Sequence, residues 1–152
     1  MDFPQYVYTA EATETEALGA SLAQAMLGDP SLPPFVALYG DLGVGKTAFV
    51  RGFTGTVAPS ALVRSPTFAL VNEYRAKPRS VFHFDMYRIE DEDDLYSIGF
   101  YDYLDRAGIC LVEWSEKIPF ALPDEFLRVT IKKTDPLQPN CRKITIERVQ
   151  EA

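Results

Sequence analysis

Apolar residues recur along the chain in two rhythms, and their order lays out a fold. Residues 6–9 alternate weakly and read as a short strand. From residue 14 to residue 27 the positions Ala17, Leu18, Leu22, Ala25 and Met26 return at helical spacing, which predicts an amphipathic helix. Thr13 with Glu16 forms a capping-box pattern at its start, and Gly28-Asp29-Pro30 is a stop signal. Residues 35–39 are apolar throughout, as expected of a strand covered on both faces of a sheet. That run leads straight into a glycine-rich loop, and helical spacing resumes from Lys46 to about Phe53.

Further strands are expected over 68–74, 81–85 and 109–113, with a helical segment from about residue 90 to residue 104 between the last two. Two alternating stretches, 126–132 and 142–148, suggest an antiparallel pair at a sheet edge. Apolar strands interleaved with helices favour an α/β class: a P-loop NTPase-like sheet with a parallel core and an antiparallel margin, helices on both faces. With 152 residues, the chain is expected to form one domain.

Gly40-Asp41-Leu42-Gly43-Val44-Gly45-Lys46-Thr47 matches the phosphate-loop pattern G-x-x-x-x-G-K-[ST] at every fixed position. Glycines let the backbone curl so that successive N–H groups point inward at phosphate oxygens, and the helix that follows adds its positive end. In that setting Lys46 bridges the β- and γ-phosphates of ATP, and the Thr47 hydroxyl joins the shell of a magnesium ion, Mg2+. A chance glycine turn would lack the apolar strand before the loop and the helix after it.

Such a site also needs an acidic residue at the end of a neighbouring strand to hold magnesium. Asp85 ends the stretch Val81-Phe82-His83-Phe84-Asp85, and Glu113 ends Ile109-Cys110-Leu111-Val112-Glu113. In an open α/β sheet ligands bind outside the carboxyl ends of the strands, where both carboxylates would project. The more completely apolar run before Glu113 favours it as the metal ligand, and Asp85 then suits orienting the attacking water. Thr67, in Ser65-Pro66-Thr67, is placed to touch the γ-phosphate or magnesium. Trp114 follows Glu113 and comes near the nucleotide. His83 reads as a hydrogen-bonded core residue, and Phe100, Tyr101 and Tyr103 as packing more than docking.

Composition narrows the setting. The formal charge of −7 opposes a broad nucleic-acid surface; Lys132, Lys133, Arg142 and Lys143 are the one basic cluster, read as a solvated strand edge. Two cysteines without C-x-x-C spacing and a single histidine argue against a zinc site and a disulfide framework, and favour the cytoplasm. No apolar run approaches the roughly 18 residues that span a bilayer.

Four motifs taken together, Leu38-Tyr39-Gly40 through Thr47, Ser65-Pro66-Thr67-Phe68, His83-Phe84-Asp85-Met86-Tyr87-Arg88 and Val112-Glu113-Trp114, resemble the TsaE (YjeE) family in order and spacing, over about residues 13–129. The resemblance implies the ATPase subunit of the bacterial machinery that makes threonylcarbamoyladenosine at position 37 of tRNA. Such a subunit is weak by itself and works when bound to TsaB and TsaD, so that tRNA is reached through the complex; weak self-association is left open. It implies Thr47 and Glu113 as magnesium ligands, Lys46 as the phosphate lysine, and Thr67 and Asp85 around the γ-phosphate and water. Asp41, Leu42, Gly43, Val44 and Gly45 then line the nucleotide with Trp114, Thr15 falls on the base side, and Arg142 or Lys143 matches a basic nucleotide contact. Val44 stands in place of the more usual alanine. Ser115 stands where a proline commonly follows, so a less rigid exit from that strand is expected.

Two other readings compete. A small-molecule P-loop kinase would carry an arginine-rich lid, whereas only Arg75, Arg79 and Arg88 occupy the middle of the chain. A nucleotide-gated binding module without useful catalysis would show slow turnover even with partners.

Overall fold

The computed structural model describes residues 1–150 apart from residues 42, 65 and 67–69. Seven strands form one sheet: β1 (Gln5–Thr9), β2 (Phe35–Tyr39), β3 (Val71–Tyr74), β4 (Ser80–Asp85), β5 (Gly108–Glu113), β6 (Glu125–Asp135) and β7 (Gln138–Gln150). Their spatial order is β1-β7-β6-β2-β5-β4-β3. β6, β2, β5 and β4 run parallel, while β3 at one margin and β7 with β1 at the other are antiparallel.

The expected antiparallel pair near the C-terminus is present, but its place differs. β6 is interior, bonded in parallel to β2 with Val36 opposite Leu127. The edge belongs to β1, where Gln5 lies opposite Ile146 of β7. Local alternation announces a strand without naming its neighbour, so a pairing across most of the chain stays hidden in it.

Helices α1 (Ala12–Gly28) and α2 (Lys46–Val57) cover one face, and α3 (Glu92–Ser97) and α4 (Phe100–Leu104) the other. Strand residues divide by parity. Val36, Leu38, Leu111 and Val129 pack with Leu22, Met26, Phe49 and Phe53, whereas Phe35, Ala37, Phe84 and Val112 pack with Leu95 and Phe100. Burial on both faces explains the unbroken apolar run of β2.

The two helices of the first layer touch backbone to backbone. A Cβ on Gly52 would stand 1.8 Å from the Glu16 carbonyl oxygen, and one on Gly19 would stand 2.2 Å from that of Phe49. Glycine is therefore required where α1 crosses α2, and this crossing fixes the helix that carries the loop lysine.

Two local expectations are corrected. α1 begins at Ala12, so Thr13 lies inside the first turn; Glu14 instead accepts from the Ala10 N–H at 3.2 Å, and no capping box forms. The helical segment before β5 is broken at Gly99, whose φ of 73° starts a second short helix. Among the described residues no helix is long and apolar enough to cross a membrane.

Candidate functional site

The loop between β2 and α2 is shaped by three glycines with positive φ: Gly40 at 148°, Gly43 at 77° and Gly45 at 107°. At Gly40 space adds to conformation, because a Cβ would meet the Ile131 carbonyl oxygen at 2.7 Å and Val44 Cγ2 at 2.8 Å. A Cβ on Gly43 would meet nothing, so there the backbone angle alone selects glycine. Gly45 sits at the N-cap of α2 and no side chain caps that end. The first backbone N–H groups of a helix have no partner inside it, and a glycine turn at the mouth of a helix is an arrangement suited to an anion.

Lys46 is buried, and its Nζ donates to the Gly40 carbonyl at 2.7 Å while standing 4.1 Å from the centroid of the Trp114 ring. An ammonium has three donors, so two remain for a ligand. Thr47, Asp41 and Gly43 are exposed around the loop, and Val44 is buried beneath it. A cleft of about 480 Å3 opens beside Gly40 and Asp41, with Tyr39, Glu116, Thr130 and Lys132 on its walls.

Parity and register bring the two carboxylates together. Asp85 and Glu113 end adjacent parallel strands and are direct register partners, while Leu38 of β2 is the partner of Glu113 on its other side. Both follow residues of the α2-facing set, Val81 on β4 and Ile109 and Leu111 on β5, so both project on the side of the loop helix. Asp85 is half-buried and its Oδ1 accepts from the Tyr87 N–H at 3.0 Å, which closes a turn after the strand. Glu113 is only 8% exposed, and its Oε2 lies 2.5 Å from His83 Nε2.

Trp114 departs from regular geometry, with φ 58° and ψ 42°. A left-handed conformation costs a residue with a Cβ roughly 1–2 kcal/mol. Neighbours hold it there: its ring lies 5.0 Å from that of Tyr87, and the Lys117 N–H donates to its carbonyl at 3.0 Å. Ser115 is fully buried and its hydroxyl donates to the Val112 carbonyl at 2.7 Å, so this exit is tied down by a hydrogen bond. The looser exit expected from the missing proline is not what these bonds describe.

The other expected residues divide. Thr15 is 2% exposed and its hydroxyl is bonded to that of Thr9 at 2.9 Å; its methyl faces the loop 4.0 Å from where a Cβ on Gly45 would stand. Leu42 and Thr67 lie outside the described residues. Lys132, Lys133 and Lys143 are exposed, in keeping with a solvated strand, but Arg142 is not of that kind. Its Nε donates to the Val44 carbonyl at 2.6 Å and its Nη2 to that of Gly43 at 3.3 Å, tying β7 to the glycine loop. Neither that tie nor the bond between His83 and Glu113 is visible in local pattern; the parity shared by His83 and Asp85 on one strand is the only trace.

Among the described residues no three His, Cys, Asp or Glu side chains gather into a metal cage. A magnesium ion is commonly held by one or two carboxylates together with substrate phosphates, and does not need such a cage. Asp85 and Glu113 at the adjacent strand ends, and Thr47 exposed in the first turn of α2, are residues that could supply oxygen donors to one.

A parallel-core sheet, a glycine loop running from strand to helix and paired carboxylates on the neighbouring strands define a P-loop NTPase-like fold. The family model described as threonylcarbamoyl adenosine biosynthesis protein TsaE matches residues 9–144. The chain belongs to the TsaE family. It is 38% identical over 126 residues to the tRNA threonylcarbamoyladenosine biosynthesis protein TsaE of Bacillus subtilis, covering 82% of this chain and 75% of that protein. The Haemophilus influenzae protein of the same name is 42% identical over 100 residues, which are 66% of this chain and 63% of the relative. The crystal structure of Bacillus subtilis YdiB superposes with a TM-score of 0.72 at 28% identity, covering 96% of this chain and 87% of that one.

Proposed function

We propose that the protein binds and hydrolyses ATP with magnesium, as the ATPase subunit required for forming the threonylcarbamoyl group on adenosine 37 of tRNAs, in a cytoplasmic complex with TsaB and TsaD. Membership of a family described by threonylcarbamoyl adenosine biosynthesis supports the pathway. The observation that carries the chemistry is the meeting of the Gly40 loop, buried Lys46 and the Asp85–Glu113 pair on one side of the sheet.

In this reading the N–H groups of residues 43–47 hold the β-phosphate, and Lys46 uses its two remaining donors on β- and γ-oxygens. Thr47 and Glu113 hold magnesium, which when bound neutralises charge developing on the phosphates. Asp85, the register partner of Glu113, orients a water for attack on the γ-phosphorus. Hydrolysis then breaks the bond between the γ-phosphorus and the bridging oxygen and leaves ADP and phosphate. Trp114 closes the side of the site beside Lys46. With a net charge of −7, contact with tRNA through the partner proteins is the electrostatically favoured route.

Measuring ATP hydrolysis with and without TsaB and TsaD tests the proposal: turnover that rises with the partners supports it. Turnover indifferent to them, with phosphate delivered to a small molecule, would point to a kinase instead.

A further inference from the structure

We infer that His83 is a positioning residue for Glu113: its Nε2–H holds one carboxylate oxygen and thereby presents the other to magnesium. This rests on the reading of Glu113 as a magnesium ligand. The bond is buried at both ends, with His83 2% and Glu113 8% exposed, and spans 2.5 Å from Nε2 to Oε2. A carboxylate only accepts, so the ring nitrogen that carries hydrogen in this bond is Nε2; the tautomer follows from the partner.

The surroundings make a purely space-filling role expensive. His83 lies on β4 opposite Leu111 of β5, two residues after the core residue Val81. Its other nitrogen, Nδ1, is buried with no hydrogen-bond partner among the described residues. A leucine would fill an apolar slot without burying an orphaned nitrogen. The gain that offsets this burial is the contact with Glu113.

Geometry fixes what the contact can do. Glu113 has two oxygens, and Oε2 is taken. Among the described residues Oε1 receives no hydrogen bond, and the carboxylate sits beside Asp85 at the end of the parallel strands. A carboxylate anchored at one oxygen has its side-chain torsions settled before the metal arrives, so less order is imposed when magnesium binds. Loss of the anchor leaves the ligand present and its direction free.

The test compares ATP affinity with and without Mg2+, by calorimetry on the full chain and on three variants. His83→Gln puts an amide N–H near the position of Nε2, His83→Leu keeps volume without a donor, and His83→Asn has a donor too short to reach Glu113. The wild type is expected to bind ATP more tightly with Mg2+. His83→Leu is expected to keep the metal-free affinity and to lose roughly tenfold in the affinity measured with Mg2+, the order of one hydrogen bond to a charged group. His83→Gln is expected to retain most of the Mg2+ gain. Equal retention by Leu and Gln overturns the inference, and so does equal loss in folded protein. Should His83→Leu fail to fold, Gln retaining the gain and Asn losing it supports the inference, and equal behaviour of those two overturns it. A wild type whose ATP affinity ignores Mg2+ removes the magnesium reading itself, and the inference with it.

Discussion

Lys46 and Trp114 face one another across the mouth of the loop, with the ammonium 4.1 Å from the centre of the indole while it donates to Gly40. A partly desolvated cation over an aromatic face contributes about 1–2 kcal/mol, so the pair is coupled in energy as well as in space. Trp114 is the only tryptophan of the chain. ATP phosphates that draw on Lys46 must alter the field at the indole. Addition of ATP is expected to change the tryptophan emission of the wild type and to leave Lys46→Met unchanged. An emission blind to ATP, in protein shown by calorimetry to bind it, would break the proposed contact.

The loop glycines are not equivalent. Gly40 combines a φ of 148° with contacts of 2.7 and 2.8 Å for any Cβ, whereas Gly43 has only the positive φ. Gly43→Ala should cost about 1 kcal/mol in urea unfolding, and Gly40→Ala about 2–4 kcal/mol, because the strand carrying Ile131 must also move. Equal losses would contradict the close packing of Gly40 against Ile131.

A similar contrast lies within α2. Gly55→Ala meets open space in the last turn of α2 and is expected to stabilise the protein by about 0.5–1 kcal/mol. Gly52→Ala drives a methyl into the Glu16 carbonyl at 1.8 Å, and is expected to lower the melting temperature by more than any loop variant. It should also weaken ATP binding, since α2 carries Lys46 and Thr47. A Gly52→Ala protein of wild-type stability would show that the two helices do not cross this closely.

Acid sensitivity follows from ion pairs far from the loop. A hydrogen bond from Arg106 holds the Glu73 carboxyl below its ordinary value, and one from Arg148 does the same for Glu125. Lowered folded values mean that this stability is present above the unfolded carboxyl range near 4.5 and is lost as pH falls through the folded values. Urea midpoints are therefore expected to fall between about pH 6 and about pH 3.5, and to fall less steeply in Glu73→Gln and Glu125→Gln. Identical slopes in wild type and variants would remove these pairs from the account.

Much of this is legible in the sequence, and the reason is physical. The phosphate loop is a local object whose glycines and lysine stand at fixed spacing, and a strand buried on both faces writes itself as an unbroken apolar run. The strand-end positions of Asp85 and Glu113 are therefore legible in their own neighbourhoods. Contacts between distant segments leave no such trace. The tie from Arg142 to Val44 spans 98 residues and the bond from His83 to Glu113 spans 30. For the same reason β1, far from β7 in the chain, could be recognised as a strand but not as the edge of the sheet.

ATP turnover in a mixture with TsaB and TsaD tests most directly whether the Gly40 loop and Glu113 form one hydrolytic site. Wild-type protein is compared with Lys46→Ala and Glu113→Gln, each confirmed as folded. Partner-dependent turnover that is abolished in both variants is the predicted result. Turnover that persists unchanged in both would contradict the account.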